Sequence, residues 1–352
     1  MDIFSDAGGW PGVLGRLASR QDLTTEVARA AMDEILAGAA TPAQLAGFVV
    51  ALRLKGETVE ELSGLRDGLL AAAELVELPA AIAERAVDIV GTGGDRSHSI
   101  NVSTLAALVV AGAGVPVCKH GNRAASSSSG SADVLEALGF AIELGPADVV
   151  RCVVDAGFGF CFAPRFHPAM RHAGPTRREL GIPTVFNSLG PMANPARVGR
   201  YVLGVADAGV AERVAKVLAS GGARRALVVH GGDGLDELTT TTTSTAYELR
   251  DGTVHATEVD ATAFGLARAR PNDLRGGDPG ENAAIARRVL AGEHGPHRDV
   301  VVLNAAAGLV VAGEAVDLAA GVVAAAGVID DGRAAAALAR AIEASQRGRQ
   351  AT

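Results

Sequence analysis

The sequence predicts an α/β fold. A small all-helical domain spans residues 1–82, and a larger α/β domain over 83–352 carries a mainly parallel central sheet flanked by helices. Three observations predict it. Up to about residue 82, apolar residues recur at helical spacing behind capping residues. From Ala86 onward, short β-prone runs alternate with helical patterns. The chain's 352 residues, 48% hydrophobic and 20% charged, suffice for two well-buried cores.

The elements follow in order. Thr41-Pro42 supplies an N-cap and a first-turn proline. Leu45, Phe48, Val49 and Leu52 then fall at i, i+3, i+4 and i+7, and Gly56 closes the helix. Thr58 with Glu61 forms a capping-box pattern ahead of Leu62, Leu65 and Leu69 on one face. Further on, 86–90, 115–118, 201–205, 226–230 and 300–303 read as short strands, with helices such as 210–219 and 281–290 between them. A short helix, 133–138, is stopped by Gly139. Residues 246–250 and 253–259 read as a hairpin around Asp251-Gly252. The threonine run 239–243 suits a strand or loop, and no internal repeat is seen.

The formal net charge of −8 gives no general attraction for nucleic acid or an anionic membrane. Any anionic ligand must then be held by local groups. The apolar stretch 105–118 is broken by Gly and Pro and is short of the roughly 20 residues a span needs. The acidic start Met1-Asp2-Ile3 lacks the basic beginning of a signal peptide. Cys118, Cys152 and Cys161 have no metal-ligand spacing and sit among apolar residues, which suits a reduced cytoplasm.

Four segments carry chemistry. Lys119 is one of only three lysines, and it precedes a small-residue run with five serines in the six positions 126–131. A flexible linker would look similar, but the flanks read as a strand end and a helix start. A small-residue loop in that setting is where backbone N–H groups can converge on phosphate oxygens. Gly91-Thr92-Gly93-Gly94-Asp95 follows a strand and allows close backbone approach to an anion, with Asp95 able to accept from sugar hydroxyls. By itself such a turn is more often structural. Asn101 to Thr104 opens the next helix and gives a second helix N-terminus. Asp236-Glu237 is poised to hold Mg²⁺, although a solvated acidic turn has the same spelling. Residues 162–195 gather His167, Arg171, His172, Arg177 and Arg178. A lone His there is more often structural, while a guanidinium reads a carboxylate through its two-pronged geometry. Together the set suits a Mg²⁺-bound diphosphate leaving group and a carboxylate-bearing acceptor. Gly-x-Ser-x-Gly, HExxH and Walker patterns are absent from the sequence.

GTGGD (91–95), NVST (101–104), KHGNRAASSSSGSAD (119–133), RRELGIPTVFNSLGPMANP (177–195), GLDELTT (234–240) and RDVVVLNAAAGL (298–309) occur in this order over nearly the whole chain. They resemble the anthranilate phosphoribosyltransferases of tryptophan biosynthesis. The resemblance implies transfer of the phosphoribosyl group of 5-phosphoribosyl diphosphate (PRPP) to the amine of anthranilate, with release of pyrophosphate. It implies PRPP binding by Gly91, Gly94, Asp95, Ser99, Asn101, Val102, Ser103, Thr104 and Lys119, and by His120, Gly121, Asn122, Arg123, Ala124, Ala125, Ser126, Ser127 and Ser131. Anthranilate would meet Gly91, His120, Asn122, His167 and Arg177, and Ser103, Asp236 and Glu237 would hold Mg²⁺, two ions per subunit. Lys119, Asp95 and Arg177 would carry the catalytic load. It further implies a cytoplasmic homodimer joined through the helical domain, with part of 166–195 bridging back to the helices, and neither nucleic-acid nor membrane partners.

Departures and rivals are few. Arg96 stands where a small residue is common, Ser99 keeps the hydroxyl of the usual Thr, and Thr176 and Ser188 replace apolar residues near the acceptor segment. A phosphoribosyltransferase for another aromatic amine therefore stays open. Pyrimidine nucleoside phosphorylases share the glycine loop, but their uracil-reading arginine and lysine segment is not found. A non-catalytic nucleic-acid-binding paralogue predicts a basic groove, against a charge of −8.

Overall fold

The structure, a computed structural model, describes residues 3–124 and 128–349. The helical domain is built from α1 (Ile3–Asp6), α2 (Gly9–Ala18), α3 (Thr25–Leu36), α4 (Pro42–Lys55) and α5 (Val59–Ala71), with a short α6 (Ala80–Ala83) leading out of it. The caps read from the sequence form. Thr41 Oγ1 accepts from Gln44 N at 3.3 Å, and Thr58 Oγ1 accepts from Glu61 N at 3.2 Å. Each satisfies an otherwise orphaned amide. Leu45, Phe48, Val49 and Leu52 face inward, and Phe48 meets Trp10 edge to face at 5.7 Å.

The α/β domain runs β1 (Val87–Gly91), α7 (Val102–Gly112), β2 (Val117–Gly121), α8 (Ser131–Leu138), α9 (Pro146–Ala156), β3 (Phe158–Phe162), α10 (Ala163–Phe166), α11 (Gly174–Leu180) and α12 (Val185–Met192). It continues with β4 (Arg200–Gly204), α13 (Ala208–Ser220), β5 (Arg225–Gly231), β6 (Ser244–Arg250), β7 (Thr253–Val259), α14 (Pro279–Leu290), α15 (Pro296–Ala312), α16 (Leu318–Asp330) and α17 (Arg333–Arg349). Among the described residues the sheet has seven strands in the order β3-β2-β1-β4-β5-β6-β7. The first five are parallel, and the hairpin β6–β7 adds on antiparallel. The helices α11 and α12 reach back to pack on α4, and α12 also packs on α5.

Residues 300–303 are a correction: they lie inside α15, not in a strand. Every residue from Val300 to Leu309 is buried, so this helix has no polar face to show a 3.6-residue period. Gly313, at φ 85°, ends it. Strand β3, Phe-Gly-Phe-Cys-Phe, was not anticipated; it is buried throughout and therefore lacks alternation.

The topology fixes where a ligand can sit. The chain lays β1, β2 and β3 outward in one direction, then returns to place β4 on the other side of β1. A crevice opens at the carboxyl ends of strands where the order reverses. Here that point lies between Gly91 and Gly204, which are paired in the β1–β4 register.

Candidate active site

A cavity of about 700 Å³ opens at this crevice. At its floor the turn bearing Asp236 and Glu237 presses onto the ends of β1 and β4. A Cβ on Gly204 would lie 1.4 Å from the Asp236 carbonyl oxygen, and one on Gly91 would lie 2.3 Å from Asp236 Oδ2. At Gly204 the backbone leaves room for glycine alone, and at Gly91 a side chain would displace the Asp236 carboxylate. The turn is held from behind by Asn304 of α15, whose carboxamide accepts from Leu238 N at 3.0 Å and donates to Leu238 O at 2.8 Å. Thr239 and Thr241 hydroxyls both donate to Asp233 on the same turn.

Asp95 joins the acidic pair. Carboxylate oxygens of Asp95, Asp236 and Glu237 lie within 4.8 Å of one another. Gly93 N donates to Asp236 Oδ2 at 2.7 Å, stitching the glycine loop to the turn. Burial first, then the Asp95 charge, pushes the Asp236 carboxyl up to about 7; burial and both neighbours hold Glu237 well above the usual carboxylate range. Glu237 Oε2 is sealed from solvent without a hydrogen-bond partner. Three crowded acids with an orphaned oxygen are the donor set a hard divalent cation takes, so these residues fit Mg²⁺. Asp95, expected at sugar hydroxyls, stands within this group of acids. Its Oδ2 accepts from Ser97 Oγ at 2.8 Å, and that hydroxyl oxygen in turn accepts from Ser99 N at 3.1 Å.

Lys119 sits inside β2 and is 1% exposed, not at the mouth of the following loop. Its Nζ donates to Ile89 O and, at 3.2 Å, to Ser103 Oγ. Burial pulls its pKa down, while Asp88, Glu237 and Asp236 pull it back up. Asp88 was not singled out from the sequence. It is fully buried in β1, accepting from His120 N at 3.2 Å and from Asn194 Nδ2 at 2.8 Å. A lone acid in the run Ala-Val-Asp-Ile-Val was the available signal.

Two helix N-termini border the cavity. Asn101 precedes α7; its Nδ2 donates to Ser129 O and its Oδ1 accepts from Asn282 Nδ2, both at 3.0 Å. Ser131 opens α8, and Asp133 Oδ2 accepts from Ala124 N and Gly130 N at 2.9 Å, cinching the two ends of the serine-rich segment. Arg123 is engaged by Asp133 and Glu136 rather than free. Gly91, Gly94, Ser99, Asn101, Ser103, Thr104, His120, Gly121, Asn122, Arg123, Ala124 and Ser131 all line the cavity. Val102 does not; its side chain is wholly buried. Ala125, Ser126 and Ser127 lie outside the described residues. Arg96, Thr176 and Ser188 do not line the cavity.

At the far end, the Arg177 guanidinium lies 5.0 Å from the centre of the Phe186 ring. It has no acidic partner among the described residues, and burial lowers its pKa. His120 and His167 stand 5.1 Å apart, ring to ring. Burial, then its neighbour His167, takes His120 down to about 3; burial takes His167 to about 4. Both are neutral near pH 7. His120 Nδ1 and His167 Nε2 donate to Gly190 O and Ala193 O at 3.0 Å, since a carbonyl can only accept.

Comparison with known proteins agrees with this architecture. Residues 83–335 match the model for the a/b domain of the glycosyl transferase family, and 11–73 match the model for its helical bundle domain. A relative from Rhodococcus jostii, named anthranilate phosphoribosyltransferase, is 54% identical over 345 residues, 96% of this chain and 94% of its own. The crystal structure of anthranilate phosphoribosyltransferase from Thermus thermophilus superposes with a TM-score of 0.89 at 44% identity, covering 95% of this chain and 99% of that one. The enzyme from Saccharomyces cerevisiae, solved in complex with PRPP and Mg, gives 0.88 at 29% identity over 96% and 98% of the two chains. With its cavity at the strand-order reversal and its likeness over nearly the full length, the chain belongs to the anthranilate phosphoribosyltransferase family of glycosyl transferases.

Proposed function

We propose that this enzyme catalyses Mg²⁺-dependent transfer of the phosphoribosyl group from PRPP to the amine of anthranilate, giving N-(5-phosphoribosyl)anthranilate and pyrophosphate, the second step from chorismate to tryptophan. The observation that carries the reading is a single cavity with two chemically opposite ends. One end offers three crowded carboxylates, Lys119 and two helix N-termini; the other offers a guanidinium over an aromatic ring, with no acidic partner among the described residues.

Asp236, Glu237 and the Ser103 hydroxyl would hold the metal, two ions per subunit, with Asp95 as a further oxygen donor. When bound, Mg²⁺ supplies Lewis-acid neutralisation of the charge that develops on departing pyrophosphate. The buried Lys119 ammonium adds fixed positive charge beneath the same phosphates, where low dielectric strengthens it. Backbone N–H groups at the starts of α7 and α8 would cradle phosphate oxygens, through Asn101, Ser103, Thr104 and the segment ending at Ser131. Arg177 would fork onto the anthranilate carboxylate, while Asn122 and the neutral His120–His167 pair wall the ring. The C1–O bond to pyrophosphate breaks largely ahead of bonding, C1 becomes oxocarbenium-like, the aniline nitrogen bonds to it, and the nitrogen then loses one proton to water. An arylamine is already neutral at pH 7, so positioning matters more than a strong base. A cytoplasmic homodimer through the helical domain completes the proposal, in keeping with Leu54 of α4, 74% exposed, and Ile3 of α1, 45% exposed.

A fluorescence assay following anthranilate consumption tests this. Turnover should require both PRPP and Mg²⁺; a substituted aromatic amine used at much higher kcat/KM would reassign the acceptor, and uridine phosphorolysis without anthranilate use would reassign the reaction.

A further inference from the structure

The C-terminal turn of α12 ends in a set of carbonyls, and each is taken by a side chain from a different part of the molecule. Pro191 lies inside this short helix, so its backbone ladder is already interrupted. His120 from β2 takes Gly190 O, and His167 from after α10 takes Ala193 O. Met192 O is taken by Arg66 of α5, in the helical domain, through Nε at 3.0 Å. Arg66 is 9% exposed and has a weak 3.5 Å contact with Asp67. Its guanidinium fills a slot floored by Gly221, at the end of α13. A Cβ on Gly221 would lie 1.9 Å from Arg66 Nη1. Gly221 has φ −80°, a conformation open to any residue, so the guanidinium and not the backbone is what excludes a side chain there. Nearby on the same seam, Ser63 and Ser220 hydroxyls meet at 3.2 Å.

The helix so gripped carries Phe186, under the Arg177 guanidinium, and Asn187, which also lines the cavity. We infer that Arg66 is a positioning residue: seated in the Gly221 slot and bonded to Met192 O, it fixes α12 to the helical domain and so sets the geometry of the acceptor end without touching substrate. This rests on the reading that the Arg177 end takes the aromatic acid.

Two substitutions break the contact by independent routes. Arg66→Met removes the guanidinium; Gly221→Ala keeps the arginine and expels its guanidinium from the slot. In the full-length enzyme each should raise the anthranilate KM about tenfold, the scale of one charged hydrogen bond relayed to a binding wall, with the PRPP KM held within about twofold. The double variant should be no worse than Arg66→Met alone, because both abolish one interaction. Ser63→Ala, on the same seam, should leave both constants unchanged. Hydrogen exchange reads the contact without substrate: peptides covering 185–192 should lose protection in both variants while those covering β1 and β2 do not. Unchanged exchange over 185–192, multiplicative effects in the double variant, or equal rises in both KM values would overturn the inference. Failure of the wild-type enzyme to use anthranilate would instead overturn the functional reading, and the exchange data would still decide the role of Arg66.

Discussion

Replacing Arg177 by Met separates the cost of holding a charge from its use. In the free enzyme the guanidinium is desolvated, unpaired by any acid among the described residues, and in contact with the Phe186 ring. The cation–π contact returns about 1 kcal/mol, less than burial of an uncompensated charge costs. Arg177→Met keeps most of the apolar contact and removes the charge. Its unfolding free energy should be equal to wild type or higher by about 1 kcal/mol. In the complex the arithmetic reverses. A desolvated guanidinium–carboxylate pair loses about 2–5 kcal/mol when one partner is truncated, and the middle of that range is roughly three-hundredfold in affinity. Because the carboxylate does not react, the loss is shared by ground and transition states, so KM for anthranilate rises while kcat moves little. Steady-state kinetics with each substrate varied, urea unfolding of the free protein, and turnover of aniline as an acceptor without a carboxylate complete the test. Equal rises in the PRPP and anthranilate KM, a loss of more than about 1 kcal/mol in stability, or aniline turnover impaired as much as anthranilate turnover would refute the carboxylate role.

Other consequences can be measured as directly. Asp236 has a folded-state pKa of about 7 against an ordinary 3.8, so between those values the folded state holds a proton that the unfolded chain has released. Stability of the metal-free protein should therefore fall as pH rises through that window, by about 1.4 kcal/mol per pH unit from this group. The depressed values of His120 and His167 act oppositely below pH 6.5, so the informative quantity is the difference from Asp236→Asn. That variant should gain on wild type as pH rises from 4 to 8 in EDTA and lose its advantage in Mg²⁺; a difference independent of pH would sink the argument. Asn304→Leu leaves the buried Leu238 N–H and C=O and the Val300 carbonyl without their side-chain partner. It should cost about 2–4 kcal/mol in chemical denaturation and weaken Mn²⁺ binding measured by EPR; a cost below about 0.5 kcal/mol would show that water replaces the carboxamide.

What could be read from the chain divides along a physical line. The caps at Thr41 and Thr58, the Gly139 stop and the Asp251-Gly252 hairpin are local, each set by residues within a few positions, and all form. The motifs of the cavity were visible because they pack unusual residue types into short segments. Elements buried on all sides were not, as Val300–Leu303 and β3 show, since burial erases the polar face that reveals a period. The sequence reading ends that strand at Cys118, one residue short of Lys119; inside β2 the ammonium is tolerated because Asp88, Glu237 and Asp236 offset its desolvation. Arg66, Asp88 and Asn304 act through partners 126, 106 and 66 residues away, measured from Met192, Asn194 and Leu238, and no local pattern encodes such distances.

The bond between Asn304 and Leu238 has a temporal side. A chain arrested before Asn304 would already contain the glycine loop, Lys119 and both adjacent acids, yet would lack the carboxamide that grips the turn from both its donor and its acceptor side. The acidic turn is thus completed by a helix made long after it, and an unfinished chain carries the acids without the frame that aims them.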